Sequence, residues 1–412
     1  MTFRIQKFLL LAGASACAIT WLTDGLHVAS ASSTVVAAKQ MQAFRLPAPP
    51  VIQAKSAILV DADNGQVLYE KDPDQRRAPA STTKLMAMLV TMKAVHDHEI
   101  SWSDEVPVTE DAYKVSTTRD VSNAYLDPKE HFTLQDMMKF IAVLSANDAT
   151  VAVADKIGGN QATFVQRMNQ EAQQLGMKNT HYMNADGLPQ ANHYSSARDL
   201  ATLACYMVNN YPEILQFTSI PKIQVRKSNS VWPSTDELLG HYPGVDGLKT
   251  GYTADAGYCY VGTAKQNGVR LISVVMADTT NNIHQRFEDT KKLFDYGFHN
   301  FTESKPTIRG QVLSQTVSVP NGQDTQVAIA PKDDLIVDLP SGVHGALKLT
   351  TQSNVPAPVT KGQNVGTLEY VVGNTVLAKT DVVALQNDKK ANWFIRLLRS
   401  IGSSIKNLIH RL

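Results

Sequence analysis

The chain has 412 residues, 43% of them hydrophobic and 19% charged, which excludes an intrinsically disordered protein and leaves room for two folded domains. A formal net charge of +1 gives no electrostatic reason for a nucleic-acid partner. With 3 cysteines, the chain cannot rest on a disulfide framework.

At the start, Arg4 and Lys7 precede a run from Phe8 to Leu22 with little polar interruption, and Ala29-Ser30-Ala31 follows. A charged start, an apolar middle and a small-residue cleavage site predict a secretory signal over residues 1–31 and an exported mature chain. An uncleaved N-terminal anchor is the alternative. Lipid attachment at Cys17 is not expected, because Ala14 stands where such a motif needs a large aliphatic residue. Residues 32–51 are rich in Ala, Ser and Pro and end in Pro47-Ala48-Pro49-Pro50, a linker composition. The remaining cysteines, Cys205 and Cys259, read as small buried apolar residues rather than a bridge.

Ala57-Ile58-Leu59-Val60 and Gln66-Val67-Leu68-Tyr69 flank Asp63-Asn64-Gly65, a hairpin signal because Asn-Gly accepts the positive φ of tight turns. Next, Pro79-Ala80-Ser81-Thr82-Thr83-Lys84 opens a helix that is apolar nearly all round through Val90, the pattern of a helix inside a domain. Positions i and i+3 of a helix lie about 5–6 Å apart at Cβ, so Lys84 can reach the hydroxyl of Ser81. A serine beside a base is a candidate nucleophile. The bland alternative is a helix N-cap, and Ser403-Ser404-Ile405-Lys406 shows that the pattern alone is weak.

From Leu134 to Lys156 apolar residues recur at helical spacing, interrupted by Ser145-Ala146-Asn147-Asp148. Ser and Asn suit a buried helix interior poorly, so the cluster predicts a turn between helices. Phe164 to Leu175 is an amphipathic helix stopped by Gly176, residues 184–189 form a turn, and Ser195 or Ser196 caps a helix through Met207. Residues 245–253, 257–264 and 269–277 then read as an antiparallel meander with Lys249 and Thr250 on its edge and a turn at Asn267-Gly268. Gly251 has no side chain there, which lets a ligand backbone come close. His96-Asp97-His98 reads as a solvated helix end, and neither metal nor cofactor is expected.

Beyond Lys305, short Val- and Leu-rich runs alternate with turns at Pro320-Asn321-Gly322 and Gly373-Asn374, predicting a small all-β module over residues 305–386. In residues 389–412, Phe394, Leu397, Leu398, Ile401, Ile405, Leu408, Ile409 and Leu412 share a helical face while Arg396, Arg399, Lys406 and Arg411 lie off it. Too many charges interrupt the segment for a span, so it is expected to lie on a membrane surface. A packing helix is the alternative.

Ser81-x-x-Lys84, Ser145-x-Asn147 and Lys249-Thr250-Gly251, in that order, form the trio known from penicillin-interacting serine enzymes. With Pro79 to Met86, Ser145 to Ala149, Met168-Asn169, Leu175-Gly176-Met177, Gly187-Leu188 and Gly247-Leu248 around it, the chain resembles the D-alanyl-D-alanine carboxypeptidases, the low-molecular-mass penicillin-binding proteins. The likeness is close over residues 52–300 and looser beyond.

The resemblance implies an α+β fold: a β-lactamase/transpeptidase-like domain with an antiparallel sheet flanked by helices, then a small all-β domain and a C-terminal amphipathic helix. It implies cleavage of peptidoglycan stem peptides ending in D-Ala-D-Ala, β-lactams as covalent inhibitors, and a place on the outer face of the bacterial cytoplasmic membrane. Ser81 would be the nucleophile, Lys84 its base, with burial and the positive Lys249 both lowering its pKa, and Ser145 the proton relay. Asn147 would hold the substrate amide, Lys249 and Thr250 would face the terminal carboxylate beside Gly251, and the backbone N–H groups of Ser81 and Tyr252 would hold the oxyanion. Arg286 reads as a surface arginine, with a part in carboxylate binding as the alternative. Where many relatives have an asparagine-rich turn, this chain has Pro233-Ser234-Thr235-Asp236-Glu237. A β-lactamase of the same fold is an alternative, disfavoured because no Glu-x-x-x-Asn lies between the second and third motifs. A non-catalytic peptidoglycan-binding protein would not need Ser81 and Lys84 together.

Overall fold

The computed structural model describes residues 48–226, 230–399 and 401. The expected signal over 1–31, most of the 32–51 linker and residues 402–412 of the expected C-terminal helix lie outside the described residues.

Strand β1 (Ser56–Asp61) turns through Asp63-Asn64-Gly65 into β2 (Val67–Lys71), as the Asn-Gly signal predicts. Gly65 adopts φ 72°, and Asp61 Oδ1 accepts from the N–H groups of Asp63 (2.8 Å) and Asn64 (3.1 Å) to close the turn. β1 is buried throughout. Its alternating residues serve two cores: Ile58 and Val60 face one, Ala57 and Leu59 the other. Both faces of the sheet are therefore covered.

Six helices matter for the site: α1 (Lys84–His96), α2 (Leu134–Leu144), α3 (Asn147–Gly158), α4 (Gln161–Gln174), α5 (Ala197–Asn210) and α6 (Gln285–Asn300). Every residue of α1 from Lys84 to Met92 is buried. A helix wrapped by core on all sides forms a rigid support. The helix expected from Ser81 begins instead as a 3₁₀ turn, Ala80–Thr83, and becomes α-helical at Lys84. A capping box between Thr133 and Asp136 starts α2, and Ser196 caps α5 by accepting from Asp199 N at 3.2 Å.

Strands β3 (Val245–Thr253), β4 (Gly257–Gln266) and β5 (Val269–Asp278) form the predicted meander. Among the described residues the sheet has the order β2-β1-β5-β4-β3 with antiparallel neighbours, which leaves β3 on its edge. Helices α1 to α5 pack on one face and α6 on the other, with Leu293 and Phe294 at the second contact. Gly297 lets α6 approach, since a Cβ there would meet Leu271 Cδ1 at 2.5 Å.

The second core runs on without a break into a β domain through Val317, Ile329, Val337, Val365 and Leu368. Its first strand, Phe301–Thr307, follows α6 directly and pairs with Leu335–Pro340, while five further strands form an antiparallel sheet. Gln66 Nε2 donates to Asp338 O at 2.8 Å, joining the β1–β2 hairpin to this domain. The expected α+β architecture with a trailing all-β domain is present. Cys205 is half-buried and Cys259 buried, both as free thiols, and burial pushes the Cys259 thiol up to about 11.

Residues 393–399 are helical. Arg399 donates to Gly322 O (2.8 Å) and Gln323 O (2.7 Å), tying the helix to the β domain, while Trp393, Phe394, Leu397 and Leu398 stay exposed. No described helix is long and apolar enough to cross a membrane.

Candidate active site

Ser81 sits on the 3₁₀ turn ahead of the buried α1. No side chain caps that turn, and Ser81 is not an N-cap. The preceding Ala80 adopts φ 48°, in the left-handed region, as does Ser145 at φ 60°. Such conformations cost a non-glycine residue about 1–3 kcal/mol and persist only where the surroundings impose them.

At Ala80 the close neighbour is Gly187. At φ +85° it packs so tightly that a Cβ would lie 2.0 Å from Ala80 O. Gly187→Ala is therefore expected to destabilise the protein by about 3 kcal/mol or more, read as a lower urea midpoint. A variant as stable as the parent would contradict this packing. His193 braces the same region: its Nδ1 accepts from Met183 N (3.0 Å), which leaves Nε2 to donate to Thr83 Oγ1 at 2.8 Å. Burial lowers the His193 pKa to about 4, helped by repulsion from His181 and Lys84, so the ring is a neutral strut.

Lys84 is fully buried, and its Nζ meets three oxygens: Ser81 Oγ at 2.9 Å, Asn147 Oδ1 at 2.7 Å and the backbone carbonyl of Asp186. Burial lowers its pKa from 10.5 to about 8, against the pull of the Asp186 and Asp148 carboxylates. Lys84 and Lys249 repel one another, and burial together with that repulsion holds the Lys249 pKa well below its ordinary value.

The second motif lies where α2 hands over to α3. Ser145 ends α2, its N–H bonded to Phe140 O, and is buried. Asn147 opens α3, and its Nδ2 donates to Ser122 O at 2.9 Å while Oδ1 accepts from Lys84 Nζ. One N–H and one lone pair of that amide remain for another partner. Asp148, unmarked by the sequence reading as functional, fixes the facing loop by accepting from Ala124 N (3.0 Å) and Leu126 N (3.1 Å).

The third motif reaches the first through Gly251. A Cβ on it would lie 3.0 Å from Ser81 N and 3.1 Å from Pro79 O. The close neighbour that explains this glycine is thus the protein's own nucleophile turn, not only a ligand. Lys249 is buried, with Nζ donating to Thr250 O at 3.0 Å, and Thr250 Oγ1 donates to Thr235 Oγ1 at 2.7 Å. Tyr252 is exposed and stacks on Tyr258 with centroids 4.4 Å apart.

The divergent 233–237 segment joins the site: Asp236 accepts from Tyr260 OH at 2.8 Å and draws the Lys249 charge. Arg286 is not the surface arginine expected. It is half-buried over the rings of Tyr258 (4.9 Å) and Phe287 (4.5 Å), near enough to repel Lys249, and its buried Nε has no hydrogen-bond partner among the described residues. Sequence reasoning missed Asp186, His193 and Asp236 because none belongs to a motif; Gly187 was the nearest signal.

Residues 43–280 match the family described as D-alanyl-D-alanine carboxypeptidase, and residues 301–390 match the penicillin-binding protein 5 C-terminal domain. The D-alanyl-D-alanine carboxypeptidase DacF of Bacillus subtilis is 36% identical over 362 residues, 86% of this chain and 90% of that one. Penicillin-binding protein 5 from Haemophilus influenzae superposes with a TM-score of 0.78 at 33% identity, covering 84% of this chain and 100% of that one. Penicillin-binding protein D2 from Listeria monocytogenes, solved in an ampicillin-bound form, gives a TM-score of 0.55 at 33% identity over 61% of this chain and 100% of its own. A buried lysine on a serine hydroxyl, an edge-strand Lys-Thr-Gly against the same turn and this match over more than half its length make one conclusion: the chain belongs to the D-alanyl-D-alanine carboxypeptidase family.

Proposed function

We propose that the chain is a serine-type carboxypeptidase that removes the terminal D-alanine from peptidoglycan stem peptides through an acyl-enzyme on Ser81. The observation that carries this is the set of oxygens around Lys84. Two of its partners, Asn147 Oδ1 and Asp186 O, can only accept. A neutral Lys84 has two N–H bonds and one lone pair. The N–H bonds go to those two oxygens, which leaves the lone pair facing the Ser81 hydroxyl. The base is aimed by its neighbours.

In the reaction, Ser81 Oγ forms a bond to the carbonyl carbon between the two D-alanines while Lys84 takes its proton. Backbone N–H groups of Ser81 and Tyr252 hold the oxyanion, donors of a kind that supply about 3–4 kcal/mol each. The C–N bond breaks as Ser145 relays the proton to the leaving amine, and water then cleaves the ester. Lys249 and Thr250, with Arg286 behind them, face the substrate carboxylate. A bound carboxylate restores the proton that burial tends to strip from Lys249. The spare N–H and lone pair of Asn147 suit a peptide backbone. β-Lactams would enter by the same route and stay, for lack of a glutamate to activate the deacylating water.

The test is incubation with a labelled penicillin and peptide mapping by mass. One adduct on the Ser81 peptide, absent from Ser81→Ala, and D-alanine release from a D-Ala-D-Ala peptide are expected. An adduct elsewhere, or rapid turnover of a chromogenic β-lactam, would overturn the assignment.

The export and membrane readings belong to the same proposal. They are supported by the signal-like residues 1–31, by the basic, apolar-faced residues 389–412, and by the exposure of Trp393, Phe394, Leu397 and Leu398. Truncation before Lys389 is expected to release the mature protein from membranes into the soluble fraction. Retention after verified signal cleavage would contradict the anchor.

A further inference from the structure

Strand β3 gives the substrate a direction. In the proposed reaction the terminal carboxylate lies at Lys249 and Thr250 and the scissile carbonyl at the N–H of Tyr252. An extended peptide and a strand advance alike, about 3.3 Å per residue, so the part of the stem upstream of the scissile bond continues past Thr253. The strand is held to this alignment by Gly251, where a Cβ would stand 3.0 Å from Ser81 N and 3.1 Å from Pro79 O. At Thr253 the surface opens into a cleft of about 370 Å³. Its floor is residues 78–80 of the nucleophile turn with His193, one wall is the loop from Gly187 to Ala191, and the other is Thr253 with Asp255.

Both walls are already fixed. Asn184 holds the loop, its Oδ1 accepting from Gly187 N (2.8 Å) and its Nδ2 donating to Leu188 O (2.9 Å) and Gln190 Oε1 (3.1 Å). Opposite, Thr253 Oγ1 accepts from Ala256 N at 3.1 Å and closes the turn that carries Asp255. Pro79, Ala80, Leu188 and Pro189 make the cleft apolar along its length. Asp255 is exposed at its edge, and its carboxylate takes part in no hydrogen bond or ion pair among the described residues. The other titratable group in the lining, His193, is neutral and does not oppose a cation there.

The geometry points to a subsite for the side chain of the third stem residue, the one before D-Ala-D-Ala, and to a primary amine at the end of that side chain, selected by Asp255. This rests on the carboxypeptidase reading and names the part of the substrate which that reading leaves open. Methylenes cover the apolar walls while the ammonium stays in solvent beside the carboxylate, the way a lysine side chain lies across an apolar surface. A stem whose side-chain amine has been acylated keeps the wall contacts and loses the ion pair.

The experiment measures D-alanine release by the full chain from three peptides, Nα-acetyl-X-D-Ala-D-Ala, in which X is L-lysine, Nε-acetyl-L-lysine or L-alanine. A labelled penicillin counts the reactive Ser81 in each preparation, so that rates are per folded site. At low salt kcat/KM for the lysine peptide is expected to exceed that for its Nε-acetyl form by about 3- to 5-fold, the size an exposed ion pair supplies, and the gap to shrink with added salt. The alanine peptide, which leaves the walls uncovered, is expected to be about 10-fold slower than the lysine peptide. Asp255→Asn is expected to bring the lysine and Nε-acetyl-lysine peptides to equal rates, and Asp255→Lys to reverse their order. Equal rates in the parent for lysine and either other peptide, or a preference for the free amine that survives Asp255→Asn, would overturn the subsite and leave the carboxypeptidase reading standing. Release from none of the three would overturn that reading and the subsite with it.

Discussion

Replacing Lys84 with alanine is expected to slow acylation of Ser81 by about 10⁴-fold or more, because nucleophile and base act as a unit and losing either removes most of the catalysis. The parent protein supplies a second reading through pH. With the Lys84 pKa lowered to about 8, the neutral base is about a tenth of the population at pH 7. The acylation rate is expected to rise about tenfold per pH unit below that value and to level off above it. A rate that stays flat between pH 6 and 9 would exclude Lys84 as the base.

The same shift has a consequence for stability, and its sign follows from proton counts. Folded Lys84 titrates near 8 and unfolded lysine near 10.5, so between those values the unfolded chain binds more protons and stability rises with pH. Below about 8 the cost is fully present, on the order of 3 kcal/mol. The site is bought at that expense. Asn147, Asp186 and the core around α1 hold an ammonium that the fold would prefer uncharged.

Gly251→Val is expected to cut acylation by about 10²- to 10³-fold while leaving the fold in place. Even a bare Cβ would stand 3.0 Å from Ser81 N, the proposed oxyanion donor, and 3.1 Å from Thr82 N. Backbone on both sides cannot rotate away as a side chain can, so β3 and the nucleophile turn must separate. Oxyanion donors lose most of their value when misaimed by this much. Stopped-flow acylation with circular dichroism on the same sample checks it. A valine variant that acylates at the parent rate would show that β3 does not press on the turn.

Much of the catalytic domain was legible because its signals are local. Asn64-Gly65 predicted the first hairpin, Asn267-Gly268 the β4–β5 turn, and the all-round apolar run after Lys84 a buried helix. Gly251 was legible as a close approach, but the partner was not, since nothing near residue 251 names residue 81. Arg286 was misread for the same reason. Its cover comes from Tyr258 and Phe287 and the strongest charge acting on it is that of Glu237, most of them far along the chain.

The sequence by itself determined the chemical kinds present: a serine one helical turn from a lysine, a polar interruption between two helices, and a Lys-Thr-Gly edge strand. Short-range patterns encode such things because helix periodicity, turn propensity and strand alternation act over a few residues. Only the tertiary structure decided that Asp186 O and Asn147 Oδ1 aim Lys84 at Ser81, that Asp148 and His193 brace the loops around it, and that Asp255 shares a cleft with the 187–191 loop. Those contacts join residues far apart in the chain, and their strength depends on exclusion of water, which no single segment achieves before the cores close around it.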